Sequence, residues 1–404
     1  MAWRDVLQQA LGEHRAAILG FTQDLIRIPS ENPPGAAYRE CIARVEQELD
    51  HLGLTHELVE VPGFPEHPRC NLLSFVGEGD RTLYFHGHYD VVPAQRRDQF
   101  EPQVKNGVLF GRGSSDMKSG LAVMIYAAYL LKKVGAPLRG RIGLCVVADE
   151  ETGGQGGSRY LTEAGLLGSG GIAMVTPEPT SGVIWNANRG AITLRVTVIG
   201  RPAHVGLQFQ GINAFEQMVE VVRELQVLKA EVEQRRSAFS IEPAEAARSI
   251  LMLGGQVEGG TNFNVVPERC SFTLERRFNP EEDFGTEKKR LFDLLDRMRQ
   301  RGIRLEVETL QEILSSGVAE TDPAAQALAE TIASVTGQRP SFEMCPGSLE
   351  IRWYAHQGIP AFAYGPGLLE VSHGPNEHVK IERIHAHTLI YALYALRMLG
   401  GESR

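Results

Sequence analysis

Three apolar runs in this chain, TLYFHGH at 82–88, RIGLCVVA at 141–148 and GIAMVT at 171–176, each stop at a histidine or a carboxylate. The first ends on His88, the second runs into Asp149, Glu150 and Glu151, and the third into Pro177, Glu178 and Pro179. Short continuous apolar runs of this kind read as strands buried on both faces, in the middle of a mixed or parallel sheet. Open α/β sheets collect their ligands where such strands end, at the carboxyl edge. The repeated device therefore predicts an α/β fold with a mixed central sheet, and it gives several metal-ligating side chains a common address. Residues 37–52 repeat apolar positions at helical spacing up to Gly53. Residues 117–134 are apolar nearly all round, as expected of a helix buried against that sheet.

Two further segments carry the same residue types. GRGSSDMKSG at 111–120 supplies Asp116, and SHGPNEH at 372–378 supplies His373 and His378. His88, Asp116, Glu151, Glu178 and His373 together offer two imidazoles and three carboxylates. These are ligands for zinc-like ions, and two-metal hydrolases hold their ions roughly 3.5–4 Å apart around a shared carboxylate. Two divalent ions would bring such a set to a charge of about plus one. Without metal, the carboxylates would repel one another and raise their own pKa values. His86, two residues before His88 on the same strand, and His378 remain open as competing ligands.

Each motif also has a plainer reading. HGHYD alone is commonly a turn, DEE can open a helix and offset its dipole, and PEP can be no more than a rigid corner. Taken functionally, Asp90 in HGHYD is placed to accept the ring N–H of His88 and so orient it toward metal. Adjacent acids in DEE can divide the labour, Glu151 binding metal while Glu150 takes a proton from water.

At 404 residues the chain exceeds the size at which one core keeps growing, so two domains are expected. Texture changes near residue 187. From there the pattern is strand 191–200, helix 213–228, strands 248–259 and 269–278, helix 281–301 and strand 304–310. That β-α-β-β-α-β order is ferredoxin-like. The expected division is a catalytic domain in two parts, 1–186 and 311–404, interrupted by an inserted domain at 187–310. A net charge of −9 with no basic block disfavours nucleic-acid or membrane-surface partners. The five cysteines are widely spaced, odd in number and free of any CxxC pattern, which reads as reduced thiols and a cytoplasmic location. No secretory signal and no long apolar span is read in the chain.

Seven segments in order, HGHYDVVP, GRGSSDMKSG, DEETGG, PEP, GRPAHVG, NVVP with a following Arg, and SHGPNE, resemble one family. It is that of the co-catalytic zinc peptidases, which holds acetylornithine deacetylase, succinyl-diaminopimelate desuccinylase, aminoacylase and glutamate carboxypeptidase. The resemblance runs from about residue 20 to residue 398. It implies two metal ions per chain, zinc or alternatively cobalt or manganese, with Asp116 bridging, His88 and Glu178 on one ion, and Glu151 and His373 on the other. It implies Glu150 as general acid/base and Asp90 as the residue orienting His88. It further implies that His204 of GRPAHVG stabilises the oxyanion, in its own or a partner subunit. Asn264 and Arg277 would contact a carboxylate-bearing substrate, as would the loop at Gly347 and Ser348. That loop reads GSLEIRW where relatives often carry a Gly-Thr-Asp type sequence, so it departs from the pattern. The inserted domain is expected to serve as a dimerisation or lid element of a homodimer.

The expected reaction is hydrolysis of an amide next to a carboxylate, as in deacetylation or desuccinylation of an N-acyl amino acid. A dipeptidase or carboxypeptidase, hydrolytic release of a nonpeptide amine, and a noncatalytic binding protein are the alternatives.

Overall fold

The structure is a computed structural model, and it describes residues 2–400. The chain divides into two compact units. One comprises residues 1–186, 318–342 and 349–404, and the other residues 187–317 and 343–348.

The first unit is built on a mixed sheet. Strand Thr82–His88 lies between Gly140–Val147 and Gly171–Thr176 and is parallel to both. Ala361–Ala363 continues the parallel set beside Gly171–Thr176. On the other side, Arg69–Glu78 and His56–Val61 close the sheet with antiparallel pairings. The register sets His88 beside Val147. The strand carrying His88 and the strand preceding Glu150 and Glu151 therefore end together.

Helices cover both faces, and strand alternation shows how. Phe85 packs on Tyr391 of helix Ile381–Leu399, and Gly87 faces Leu121 and Met124 of helix Lys118–Lys133. Tyr84 and His86 point the other way, against Tyr354 of the short helix Ile351–Ala355. Residues 118–128 of the central helix are buried without interruption, which accounts for its sequence being apolar nearly all round. Each fully buried Leu or Phe of this core contributes about 1.5–3 kcal/mol relative to its exposed state. No helix among the described residues is long and apolar enough to cross a membrane.

The second unit holds strands Gly190–Ile199, Ile250–Gly259, Arg269–Phe278 and Leu305–Ile313 with helices Ala214–Val232 and Phe284–Gln300. Numbered in chain order, the strands lie 2-3-1-4 in an antiparallel sheet, which is the ferredoxin-like arrangement. Its core gathers Leu194, Val196, Leu225, Phe272 and Leu295. The unit is wider than residues 187–310. Its last long strand continues to Ile313, the chain stays with it to Gly317, and residues 343–348 join it as well. A short connecting segment far along the chain has no periodicity from which such membership can be read.

Candidate metal centre

Strand ends supply most of the cluster. His88 is the last residue of its strand and is 1% exposed. Glu150 and Glu151 sit in a single turn that follows Asp149, whose backbone is left-handed at φ 61°. Glu178 follows Thr176 and is buried between two prolines. Its place is set partly by close backbone approach, since a Cβ on Gly365 would lie 2.1 Å from the Pro177 carbonyl oxygen. Asp116 precedes the central helix, and His373 lies on a loop with φ 62°.

Asp116 stands at the centre of the group. Its Oδ1 is 3.4 Å from His88 Nε2, and that nitrogen is 3.8 Å from Glu178 Oε1. Its Oδ2 is 3.2 Å from His373 Nε2, which is 3.3 Å from Glu151 Oε2. Each oxygen of one carboxylate thus faces its own imidazole and carboxylate pair. His88, Asp116 and Glu151 each bring a ligand atom within 4.8 Å of the others.

A direct test of whether these residues suit metal is whether their polar atoms are satisfied without it. His88 Nε2, Asp116 Oδ1, Glu151 Oε1 and Glu178 Oε1 are buried and have no hydrogen-bond partner. Four orphaned atoms of ligand type in one crevice would be costly as mere packing. They fit a pair of divalent cations.

The protonation pattern carries the same signature. Burial pushes Glu178 up to about 8, helped by the charges of Asp116 and Glu151. Burial also raises Glu151. Glu150 is driven well above the usual carboxylate range, first by burial and then by Glu178, Glu350 and Glu151, against the opposing influence of His88. His373 is raised to about 10 by Asp116 and Glu151. Burial alone would lower His88, but Asp116 and Asp90 hold it well above its ordinary value. Asp116, in spite of burial, is held low by His373 and His88.

The competing histidines are engaged elsewhere. His86 is fully buried, with Nδ1 3.0 Å from the Tyr354 hydroxyl and Nε2 2.9 Å from Ser158 Oγ. His378 turns its Nδ1 to the Asn376 carbonyl and packs on Phe110. Asp90 does more than face a ring. His88 Nδ1 lies 3.0 Å from the Asp90 main-chain carbonyl and 3.3 Å from its carboxylate. That carboxylate also accepts the backbone N–H groups of Glu150 and Glu151, each at 3.2 Å.

Several supporting residues went unread in the sequence. Asn32 donates to Asp90 at 2.8 Å and to Thr152 at 2.9 Å. Asp149, the first acid of DEE, is not part of the cluster; it accepts from Arg69, Tyr38 and the Gly156 N–H. Glu350 is 1% exposed, pairs with Arg352 at 3.1 Å and lies 3.5 Å from His86 Nε2. A carboxylate and an arginine set among the large apolar residues of LEIRWY were the available signal for it, as a buried charge requires partners.

His204, Asn264, Arg277, Gly347 and Ser348 all belong to the second unit. Within it, His204 bridges to Val265, and the Val205 N–H donates to the Asn264 carbonyl at 2.9 Å, so those two motifs meet. Arg277 is paired with Glu275 at 2.5 Å. Its neighbour Arg276 points to the opposite face, where it is buried against Glu282 and Glu287.

Residues 84–397 match the model of Peptidase family M20/M25/M40. The chain belongs to this family. It is a metal-dependent amidohydrolase with the family's α/β catalytic fold. It is 27% identical over 395 residues to a succinyl-diaminopimelate desuccinylase of Methylobacterium radiotolerans, covering 94% of this chain and 96% of the relative. It is 25% identical over 414 residues to the N-formyl-4-amino-5-aminomethyl-2-methylpyrimidine deformylase of Bacillus subtilis, covering 95% of each. In structure it is similar to a dinuclear metal-binding peptidase of the M20 family from Bacillus subtilis. The TM-score is 0.70 at 16% identity, over 96% of this chain and 99% of the other.

Proposed function

We propose that the chain removes an acyl group, acetyl or succinyl, from the amine of a carboxylate-bearing amino acid, using two metal ions. The observation that carries this reading is Asp116, whose two oxygens each face one imidazole and carboxylate pair amid unpartnered ligand atoms. In it, His88 and Glu178 would hold one ion, Glu151 and His373 the other, and Asp116 would serve both. Zinc suits the donor set, as do cobalt and manganese. When bound, such ions supply Lewis acidity, polarising the amide carbonyl and making water a nucleophile near neutral pH.

The chain's own groups handle the protons. Glu150 is outside the ligand set and has a strong tendency to bind a proton in its buried crevice. It takes one from the attacking water and returns it to the departing amine. Asp90 keeps the acid-bearing turn in place by accepting both of its N–H groups. From the second unit, His204 supplies a donor to the developing oxyanion, and Asn264, Arg277, Gly347 and Ser348 hold the substrate carboxylate. These five assignments rest on the motif correspondence. So does a homodimer through the second unit, whose edge strand exposes Ile250, Met252 and Val257. The five cysteines, all buried, accord with a cytoplasmic location.

A second reading, removal of an acyl group from an amine that is not an amino acid, is favoured by the likeness to the pyrimidine deformylase. Metal-loaded protein offered N-acetyl, N-succinyl and N-formyl amino acids, dipeptides and N-formyl aromatic amines, with free amine measured, separates the two. Glu150→Gln should cost at least about 100-fold in kcat while keeping two ions per chain; wild-type turnover by that variant would refute the mechanism.

A further inference from the structure

Two motif residues have no part in the chemistry above, Arg112 of GRGSSDMKSG and Glu377 of SHGPNEH. Both are 1% to 2% exposed, and Arg112 Nη1 donates to Glu377 Oε2 at 2.6 Å. The other oxygen of Glu377 accepts three backbone N–H groups, from Gly113 at 3.0 Å and from Ser115 and Asp116 at 2.9 Å each. Glu377 therefore grips the loop that carries Asp116. Arg112 grips the other loop: its Nη2 donates to the His373 carbonyl at 3.2 Å and to Gln95 Oε1 at 2.9 Å. Gln95 in turn donates to the same His373 carbonyl at 2.8 Å. His373 needs such restraint, because its left-handed backbone is one that residues other than glycine adopt only when their surroundings impose it.

We propose that the buried Arg112–Glu377 pair, with Gln95, is a positioning strap that sets the separation of Asp116 from His373 and thereby the affinity of the ion those residues share. The inference rests on the dinuclear reading above. Asp116 and His373 are 257 residues apart in number, and the Arg112–Glu377 ion pair joins the two loops that carry them, so the bridging carboxylate and the imidazole on the exposed loop are held together. Loosening the strap leaves His88 and Glu178 on their strand ends, so the two ions should respond unequally.

The test is titration of metal-stripped full-length protein with Co(II), read by visible absorption and by elemental analysis, with thermal unfolding measured alongside. Wild type should take up two ions. Glu377→Gln should bind the ion lost in His373→Ala about tenfold or more weakly, and the other ion, which also uses Asp116, should be weakened to a clearly smaller extent. Because Glu377→Gln leaves a buried guanidinium without its partner and can compromise folding, Gln95→Ala provides a surface variant. It should weaken the same ion, to a smaller extent, at unchanged thermal stability. Wild-type titration of both ions in either folded variant, or equal weakening of both, overturns the strap. Failure of the wild type itself to bind two ions instead overturns the dinuclear reading, and the strap with it.

Discussion

Metal uptake should expel protons, and the number follows from the site. In the metal-free crevice at pH 7, His373, raised to about 10, and Glu178, raised to about 8, both carry a proton. His88, held well above its ordinary value by Asp116 and Asp90, carries a third. All three are proposed ligands and must lose those protons to bind an ion, so filling both positions at pH 7 should release about three. Each of these groups has a raised pKa, so the proton is bound below that value and the obstacle to metal grows as pH falls. By linkage, apparent affinity for the pair of ions should then rise about a thousandfold per pH unit near neutrality. Near pH 9 Glu178 has already lost its proton, and the count should fall below the value at pH 7. Calorimetric titration of metal-stripped protein in buffers of different ionisation enthalpy reads the number directly as the slope of observed enthalpy against buffer enthalpy. Glu178→Gln should lower it by about one at pH 7, because the amide has no proton to give. A slope near zero at pH 7, with two ions bound, would refute the assignment of these groups as protonated ligands.

Two further outcomes bear on how the fold supports the site. Gly365→Ala places a Cβ against the Pro177 carbonyl and must shift the segment carrying Glu178, so metal content should drop below two ions per chain, at a stability cost of about 1–3 kcal/mol by thermal unfolding. Arg276→Ala leaves Glu282 and Glu287 to Arg235 alone; unfolding should become easier by about 1–3 kcal/mol while metal content stays at wild type, and loss of metal there would contradict the assignment of all five ligands to the first unit.

Much of the site was legible because its ligands punctuate strands. TLYFHGH and RIGLCVVA are continuous apolar runs, and a histidine or acid at the end of such a run is conspicuous against them. The ferredoxin-like order of the second unit was legible for a similar reason, since its helices and strands differ in period and are cleanly punctuated. The unread residues had no such contrast. Asn32 and Asp149 sit in loops whose partners are 58 and 80 positions distant, Asp90 and Arg69 respectively. Nothing local distinguishes Asp149, which braces the turn, from Glu150 beside it. The long strand Leu305–Ile313 also outran its expected end at 310, because its pairing with Gly190–Ile199 sustains it through polar sequence.

By itself the sequence determined which residue types could bind metal, the order of strands and helices, and, through the combination of motifs, the family. Tertiary structure alone decided which histidine of each pair is available. His86 and His88 share a strand phase, yet one is consumed by Tyr354 and Ser158 while the other has an unpartnered nitrogen facing Asp116. His373 and His378 differ likewise, in whether the ring meets carboxylates or packs on Phe110. The physical reason is that a side chain's availability depends on what the rest of the chain brings to it, and those partners come from segments tens to hundreds of residues away, across pairings that no local pattern encodes.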